Sequence, residues 1–275
     1  MIELNKKANR LRHDLIRLVH KAPDSHVGGS LSVLDILTTL YFKVMNVSPK
    51  NIEDPNRDRF ILSKAHTVDA LYVVLAEKGF FDKEELIKTF FKFNSPFIGH
   101  PNSEVPGIEM SGGSLGHGLS LGVGMALAAK MDNLTFRTYV VLGDGEMAEG
   151  SNFEAMMSAA HYKLDNLCAT VDLNGLQISG KTKDVMCLDD MGEKFKAFNW
   201  HVIEVENGND CIELEKAYTE AATVKGKPTV VIAHTVKGKG ISFMENNLKW
   251  HHGAPSDAEY LKAIEELQEA YNEFK

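Results

Sequence analysis

Apolar positions along the chain alternate between helical spacing and short unbroken runs. Leu4, Ala8, Leu11, Leu15, Leu18 and Val19 recur every three or four residues, which predicts an amphipathic helix over 4–20. Residues 22–30 read as a loop. Ser32 to Asp35 has the look of a capping box, and Leu34, Leu37, Leu40 and Tyr41 continue it as a helix. After a charged loop over 49–59, Phe60-Ile61-Leu62 is a short strand ending at Ser63-Lys64-Ala65-His66, with a helix over 68–78 behind it. Asp82 caps a further helix over 83–92. Residues 138–142 and 167–171 are short apolar runs of the kind buried on both faces of a parallel sheet. Phe153, Met156, Met157 and Ala160 place a helix over 153–162 between them. Residues 200–205 and 229–232 are further strands flanking a helix over 210–225. Ser256 to Glu259 is a second capping box, and Leu261, Ile264, Leu267 and Tyr271 follow as a terminal helix.

This alternation predicts the α/β class: a doubly wound, mostly parallel sheet with helices on both faces. Residues 1–275 read as one domain with a helical amino-terminal arm and a carboxyl-terminal helix, without repeats, low-complexity tracts or linkers.

The chemistry concentrates where the two central strands end. The first stops at Gly143-Asp144-Gly145, the second at Asp172-Leu173-Asn174-Gly175. Carboxyl ends of parallel strands are where open α/β sheets bind ligands. A carboxylate, an amide oxygen and a nearby backbone carbonyl are hard donors that suit Mg²⁺ or Ca²⁺. Glycines on both sides of Asp144 let a diphosphate approach the backbone, and a helix entered near Gly150 adds a positive end. Asp-Gly alone also makes an ordinary tight turn. Asn174, thirty positions after Asp144 and at the next strand end, favours the cation reading.

Residues 94–113 form a long loop holding His100 in Ile-Gly-His-Pro, and a loop of that length reads as a binding loop. Residues 112–118 then enter an apolar helical run in which Gly116, Gly118, Gly122 and Gly124 weaken helix propensity. Two readings stand: tight packing on the sheet, or close approach by another backbone. Residues 234–240 read as a strand end followed by a mobile basic loop, and 250–255 as a second loop.

Composition narrows the class. The chain has 275 residues, 44% hydrophobic and 25% charged, ordinary globular values. A net charge of −8 with dispersed basic residues argues against nucleic acid and against an anionic membrane surface. No apolar run reads as the ~20 residues of a membrane span, and the polar amino terminus lacks a signal-type apolar region. Cys168, Cys187 and Cys211 are odd in number and far apart, which suits a reducing, cytoplasmic setting. Neither dinucleotide-type Gly-x-Gly-x-x-Gly after a first strand nor a phosphate-loop Gly-Lys-Ser/Thr motif is present.

His26, His66, His100 and His252 each lie in glycine- or proline-marked loops near element ends. No cysteine or His-x₃-His pair accompanies them, so zinc fits poorly. Imidazoles there suit hydrogen bonds to sugar hydroxyls and phosphate, and proton transfer near neutral pH. In chain order stand Ser-His26-Val-Gly-Gly, Leu-Ser-Lys-Ala-His66, Gly-His100-Pro, Gly113-Ser-Leu115-Gly-His-Gly118, Gly-Asp144-Gly-Glu-Met-Ala-Glu149-Gly and His252-Gly-Ala-Pro. Together with Asn174, this series resembles the amino-terminal, diphosphate-binding half of transketolases, along almost the whole chain.

The resemblance implies thiamine diphosphate and Mg²⁺ as cofactors, with Ca²⁺ or Mn²⁺ as substitutes. It implies Asp144, Asn174 and the Leu176 carbonyl as metal ligands, and His66, His252 and the Gly145 backbone on the diphosphate. Gly113 and Leu115 would meet the aminopyrimidine through backbone groups. His26, His100 and His252 would line the sugar cleft and move protons. Glu149 would join a proton relay at an interface between subunits, although a carboxylate at a helix amino terminus needs no such role. His117 stands where the family commonly has glutamine. His251 competes with His252, and the Gly-Ala-Pro that follows favours His252. Among the remaining histidines, His234 is the best reserve candidate. The family's second thiamine-type domain and carboxyl-terminal domain have no counterpart in these 275 residues. The expectation is therefore the amino-terminal subunit of a split transketolase, moving a two-carbon unit between sugar phosphates as a dimer of heterodimers with its carboxyl-terminal subunit. The alternatives are a subunit of another thiamine diphosphate enzyme, or a non-catalytic module on the same fold. The four histidines favour sugar chemistry over the first, and intact Asp144 and Asn174 argue against the second.

Overall fold

A computed structural model describes residues 2–22 and 24–273. Among them, five strands form one parallel sheet: β1 (Arg59–Leu62), β2 (Thr138–Gly143), β3 (Leu167–Leu173), β4 (His201–Val205) and β5 (Thr229–His234). Their order is β1-β2-β3-β5-β4. All of β2 is buried, and so is β3 up to Asp172, which is why both read as unbroken apolar runs. The register sets Gly143 beside Asp172 and Leu173 beside His234, so three central strands end at nearly one level.

The helices are α1 (Ile2–His20), α2 (Val27–Thr39), α3 (Val68–Lys78), α4 (Lys83–Thr89), α5 (Gly118–Met131), α6 (Gly150–His161), α7 (Thr182–Val185), α8 (Met191–Ala197), α9 (Cys211–Thr223) and α10 (Asp257–Glu273). One core packs α1 to α4, α9 and α10 against one sheet face. The other packs α5, α6 and α8 against the opposite face. The doubly wound expectation is met.

Several boundaries differ from the sequence reading. α2 starts at Val27, inside the expected loop, and Ser32 caps nothing. Its hydroxyl donates to the Gly29 carbonyl (2.9 Å) and to Asp172 (2.6 Å) from mid-helix. Every residue of α2 is buried, so no polar face marks its first turn. The stretch Val27–Val44 is apolar and long enough to match a membrane span, contrary to the sequence reading, yet 83% of it is buried inside the protein. α4 stops at Thr89 because Phe90 turns extended and Phe91 is left-handed (φ 59°). The caps at Asp82 (accepting from the Glu85 N–H, 2.8 Å) and at Ser256 (its hydroxyl accepting from the Glu259 N–H, 3.4 Å, and its N–H donating to the Glu259 carboxylate, 2.9 Å) are formed.

The glycines of α5 bear out the packing reading on the face turned to the sheet. Gly118 and Gly122 lie where a Cβ would strike Ser63 and Val140, so they let the helix sit on the sheet. Gly124 has nothing within 4 Å of its Cβ position and faces outward.

Candidate active site

Four strand ends and one helix start converge on a cavity of about 490 Å³. Lys64 and His66 follow β1, Asp144 and Gly145 follow β2, Asn174 and Leu176 follow β3, and Lys237 follows β5. His26, immediately before α2, closes one wall.

Asp144 is 6% exposed. Its two carboxylate oxygens accept from the N–H of Gly145 (2.8 Å) and Gly175 (2.6 Å), and the second bond ties the β2 turn to the β3 turn. Gly175 is left-handed (φ 75°), which bends the chain so that Asn174 and Leu176 both face the cavity. The Leu176 carbonyl is reached by the Lys237 ammonium (3.3 Å). Burial, then the Asp172 carboxylate, pushes the Asp144 pKa up to about 6. A divalent cation would reverse that pressure, and the donors here are all hard oxygen. Among the described residues no cluster of three His, Cys, Asp or Glu side chains forms a softer metal centre. The residues therefore fit Mg²⁺ held by Asp144, Asn174 and the Leu176 carbonyl.

Beneath this floor lies a buried ion pair between Lys64 and Asp172. Asp172 also accepts from Ser32 (2.6 Å) and Thr235, so its lone pairs are used. Removing one partner of such a pair costs about 3–5 kcal/mol.

The histidines pack ring to ring. His26 lies 5.0 Å from His66, 4.6 Å from His252 and 5.6 Å from His251, centroid to centroid. Burial first, then neighbouring imidazoles, lowers the pKa of His26 to about 4. Burial and then Lys237 lower that of His251 to about 3. Burial and then Lys64 take His66 well below its ordinary value. These rings are neutral at physiological pH, each with one donor and one acceptor for hydroxyl or phosphate oxygen.

His66, His100, Gly113, Leu115, Gly145, Asn174 and Leu176 all line the cavity with Asp144 and His26. His252 sits at the rim, outside the lining, paired with Asp24 (3.0 Å). Its neighbour His251 takes the inner place and accepts from Lys237 (2.8 Å). Glu149 is exposed at the start of α6, outside the cavity and beside Gly116. His234 points away and pairs with Glu204 (3.0 Å).

Sequence reasoning missed Lys64, Lys237 and Gln177 and preferred His252 to His251, yet all of Lys64, Lys237, Gln177 and His251 face the cavity. The basic loop after β5 is packed rather than free: Lys237 is 3% exposed, and the Gly238 N–H donates to the Gly28 carbonyl (2.9 Å). Lys237 loses charge affinity to burial and then to Lys64, which brings its pKa to about 8. The Gln177 side chain packs over Gly145 beside the diphosphate turn.

Hard oxygen donors at the β2 and β3 ends, beside imidazoles and a buried lysine, make a cavity whose chemistry suits a divalent cation and a diphosphate. Residues 4–272 match the family described as "Transketolase, thiamine diphosphate binding domain". The chain belongs to that family. It is 48% identical over 268 residues to one of the subunits of the apulose-4-phosphate transketolase of Phocaeicola vulgatus, covering 98% of this chain and 94% of that one. It is 40% identical to a 6-deoxy-6-sulfo-D-fructose transketolase subunit of a Clostridium species, covering 97% of each. The crystal structure of transketolase from Campylobacter jejuni superposes with a TM-score of 0.91 at 30% identity, over 100% of this chain and 46% of that one. The chain thus spans about half the length of the solved transketolases and nearly all of the separate subunits. It is a transketolase subunit that carries the thiamine diphosphate-binding domain.

Proposed function

We propose that this chain works with a carboxyl-terminal transketolase subunit to move a two-carbon ketol unit from a ketose to an aldose. The donor class is a sugar carrying a terminal anion, as in the phosphate and sulfonate sugars for which the two relatives are named. The observation that carries this reading is the convergence of Asp144, Asn174 and Leu176 with His26, His66 and His100 on one cavity. When bound, thiamine diphosphate supplies the carbon nucleophile that opens the donor ketone, and Mg²⁺ neutralises its pyrophosphate. Asp144, Asn174 and the Leu176 carbonyl hold the metal. His66, Lys237 and the Gly145 backbone hold the diphosphate, with His252 within reach at the rim. Gly113 and Leu115 present backbone groups to the aminopyrimidine. His26 and His100 hold sugar hydroxyls and pass protons, and His251 shares the wall beside them.

The partner would cover the outer face of α5 and α6 with the turn before it, where Leu121, Met131, Met157 and Glu149 are exposed. Glu149 would meet its relay partner there. We propose a dimer of heterodimers in the cytoplasm, consistent with three free cysteines. Calorimetric titration of Mg²⁺ and thiamine diphosphate tests the site. Asp144→Ala or Asn174→Ala should abolish Mg²⁺-dependent binding in a chain that still folds, with lowered melting expected for Asp144→Ala because the Gly145 and Gly175 N–H groups lose their acceptor. Unaltered affinity would reject the ligand assignment, and full turnover by this chain alone would reject the partner.

A further inference from the structure

Glu146 stands two residues beyond Asp144, and the proposed roles above leave it unused. Its side chain is 4% exposed. One carboxylate oxygen accepts from the Gly116 N–H (2.8 Å) and from the Ser63 hydroxyl. The other accepts from the Gly143 N–H (3.1 Å). Ser63 in turn accepts from the Gly118 N–H (3.1 Å). The Gly116 carbonyl accepts from the Ser151 hydroxyl (2.8 Å), and Gly116 is left-handed (φ 83°) with Glu149 packed against it. A single carboxylate thus fastens the ends of β1 and β2 to the loop that enters α5.

That loop has two sides. Leu115 faces the cavity, Ser114 and His117 face a second, outward hollow together with Ser120 and Leu121 of α5, and Gly113 lines both. Glu146 also fixes Gly143, the residue directly before Asp144. We infer that Glu146 is a positioning residue that couples docking of the partner subunit on the outward side to cofactor and metal binding on the inward side. Pressing the loop into one register sets Gly116, and through Glu146 it sets the Gly143–Asp144 turn. The inference rests on the two-subunit reading above.

Coupling of this kind is reciprocal: cofactor tightens the partner by the factor by which the partner tightens cofactor, commonly about 5–150-fold. Glu146→Gln keeps the shape but turns one acceptor into a donor, so either Gly116 or Gly143 loses its acceptor. The experiment measures all four legs of the cycle by calorimetry: this chain with the partner subunit, each with and without Mg²⁺ and thiamine diphosphate. In the wild type the coupling factor should exceed about 10-fold, and in Glu146→Gln it should fall to about 2-fold or less. Ser63→Ala, which releases the bonds to Glu146 and from the Gly118 N–H, and Ser151→Ala, which releases the bond to the Gly116 carbonyl, should lower it partway. They decide the matter if Glu146→Gln does not fold. A structural defect would change melting or one affinity without erasing the coupling. A wild-type factor near unity, or wild-type coupling retained in the folded variants, overturns the inference. Failure of the wild type to bind partner or cofactor at all would instead overturn the two-subunit reading.

Discussion

The cavity imidazoles set a pH dependence that can be worked out residue by residue. His26 titrates near 4 in the folded chain and near 6.5 when unfolded. Between those values the unfolded chain holds a proton that the folded one refuses, so this group makes stability rise with pH across that window. Asp144, raised to about 6, acts in the opposite sense over the lower part of the same range. The difference between wild type and His26→Gln isolates the imidazole. On going from pH 7 to pH 4.5 the variant should gain on the wild type by about 1–2 kcal/mol, allowing for solvent screening of a partly open ring. Urea unfolding at the two pH values measures it, and an unchanged difference would rule out the buried neutral ring. At this scale the sequence carried some residues and hid others. Asp144 and Asn174 were legible because strand ends and glycines mark them. Lys237 was not, because a lysine in a short run of lysines and glycines reads as solvent-facing until a fold buries it.

α2 shows how an element can be read as present and misplaced. A helix buried all round has no polar stripe to locate its first turn, and Gly28-Gly29 mimics a loop. The glycines are there for packing. A Cβ on Gly28 would sit 2.6 Å from the Trp250 carbonyl, and one on Gly29 would press on Thr67. Gly28→Ala must therefore push the start of α2 off the loop that carries His251, and His26 moves with it. The expected loss is about 1–3 kcal/mol of stability, the usual range for overpacking. Cofactor affinity should weaken alongside it. Chemical denaturation and calorimetry together check this, and wild-type values for both would mean that the contact is slack. β2 and β3 were legible for the opposite reason: burial on both faces leaves an apolar run no other element of that length explains. α7 and α8, four and seven residues long, are too short for periodicity to show.

For the molecule as a whole, stability and assembly are expected to separate on the outer face of α5. Ser120, Leu121, Gly124, Ala128 and Met131 are exposed along it, with Met131 at 73%, and α6 adds Met157 at 53%. Such a mix of small and large apolar groups suits a closely approaching partner and gains nothing in isolation. Gly124 separates the two demands. Its Cβ position is open, so Gly124→Arg in the lone chain should add about 0.5–1 kcal/mol, because glycine is a poor helix former. In the complex the same side chain must fit where another backbone comes close, and it buries a charge with no partner of its own. The variant should therefore melt slightly higher alone and fail to form the two-subunit assembly in sedimentation velocity. A helix whose outer face merely meets solvent would show the first effect without the second, and normal assembly by Gly124→Arg would move the interface away from α5.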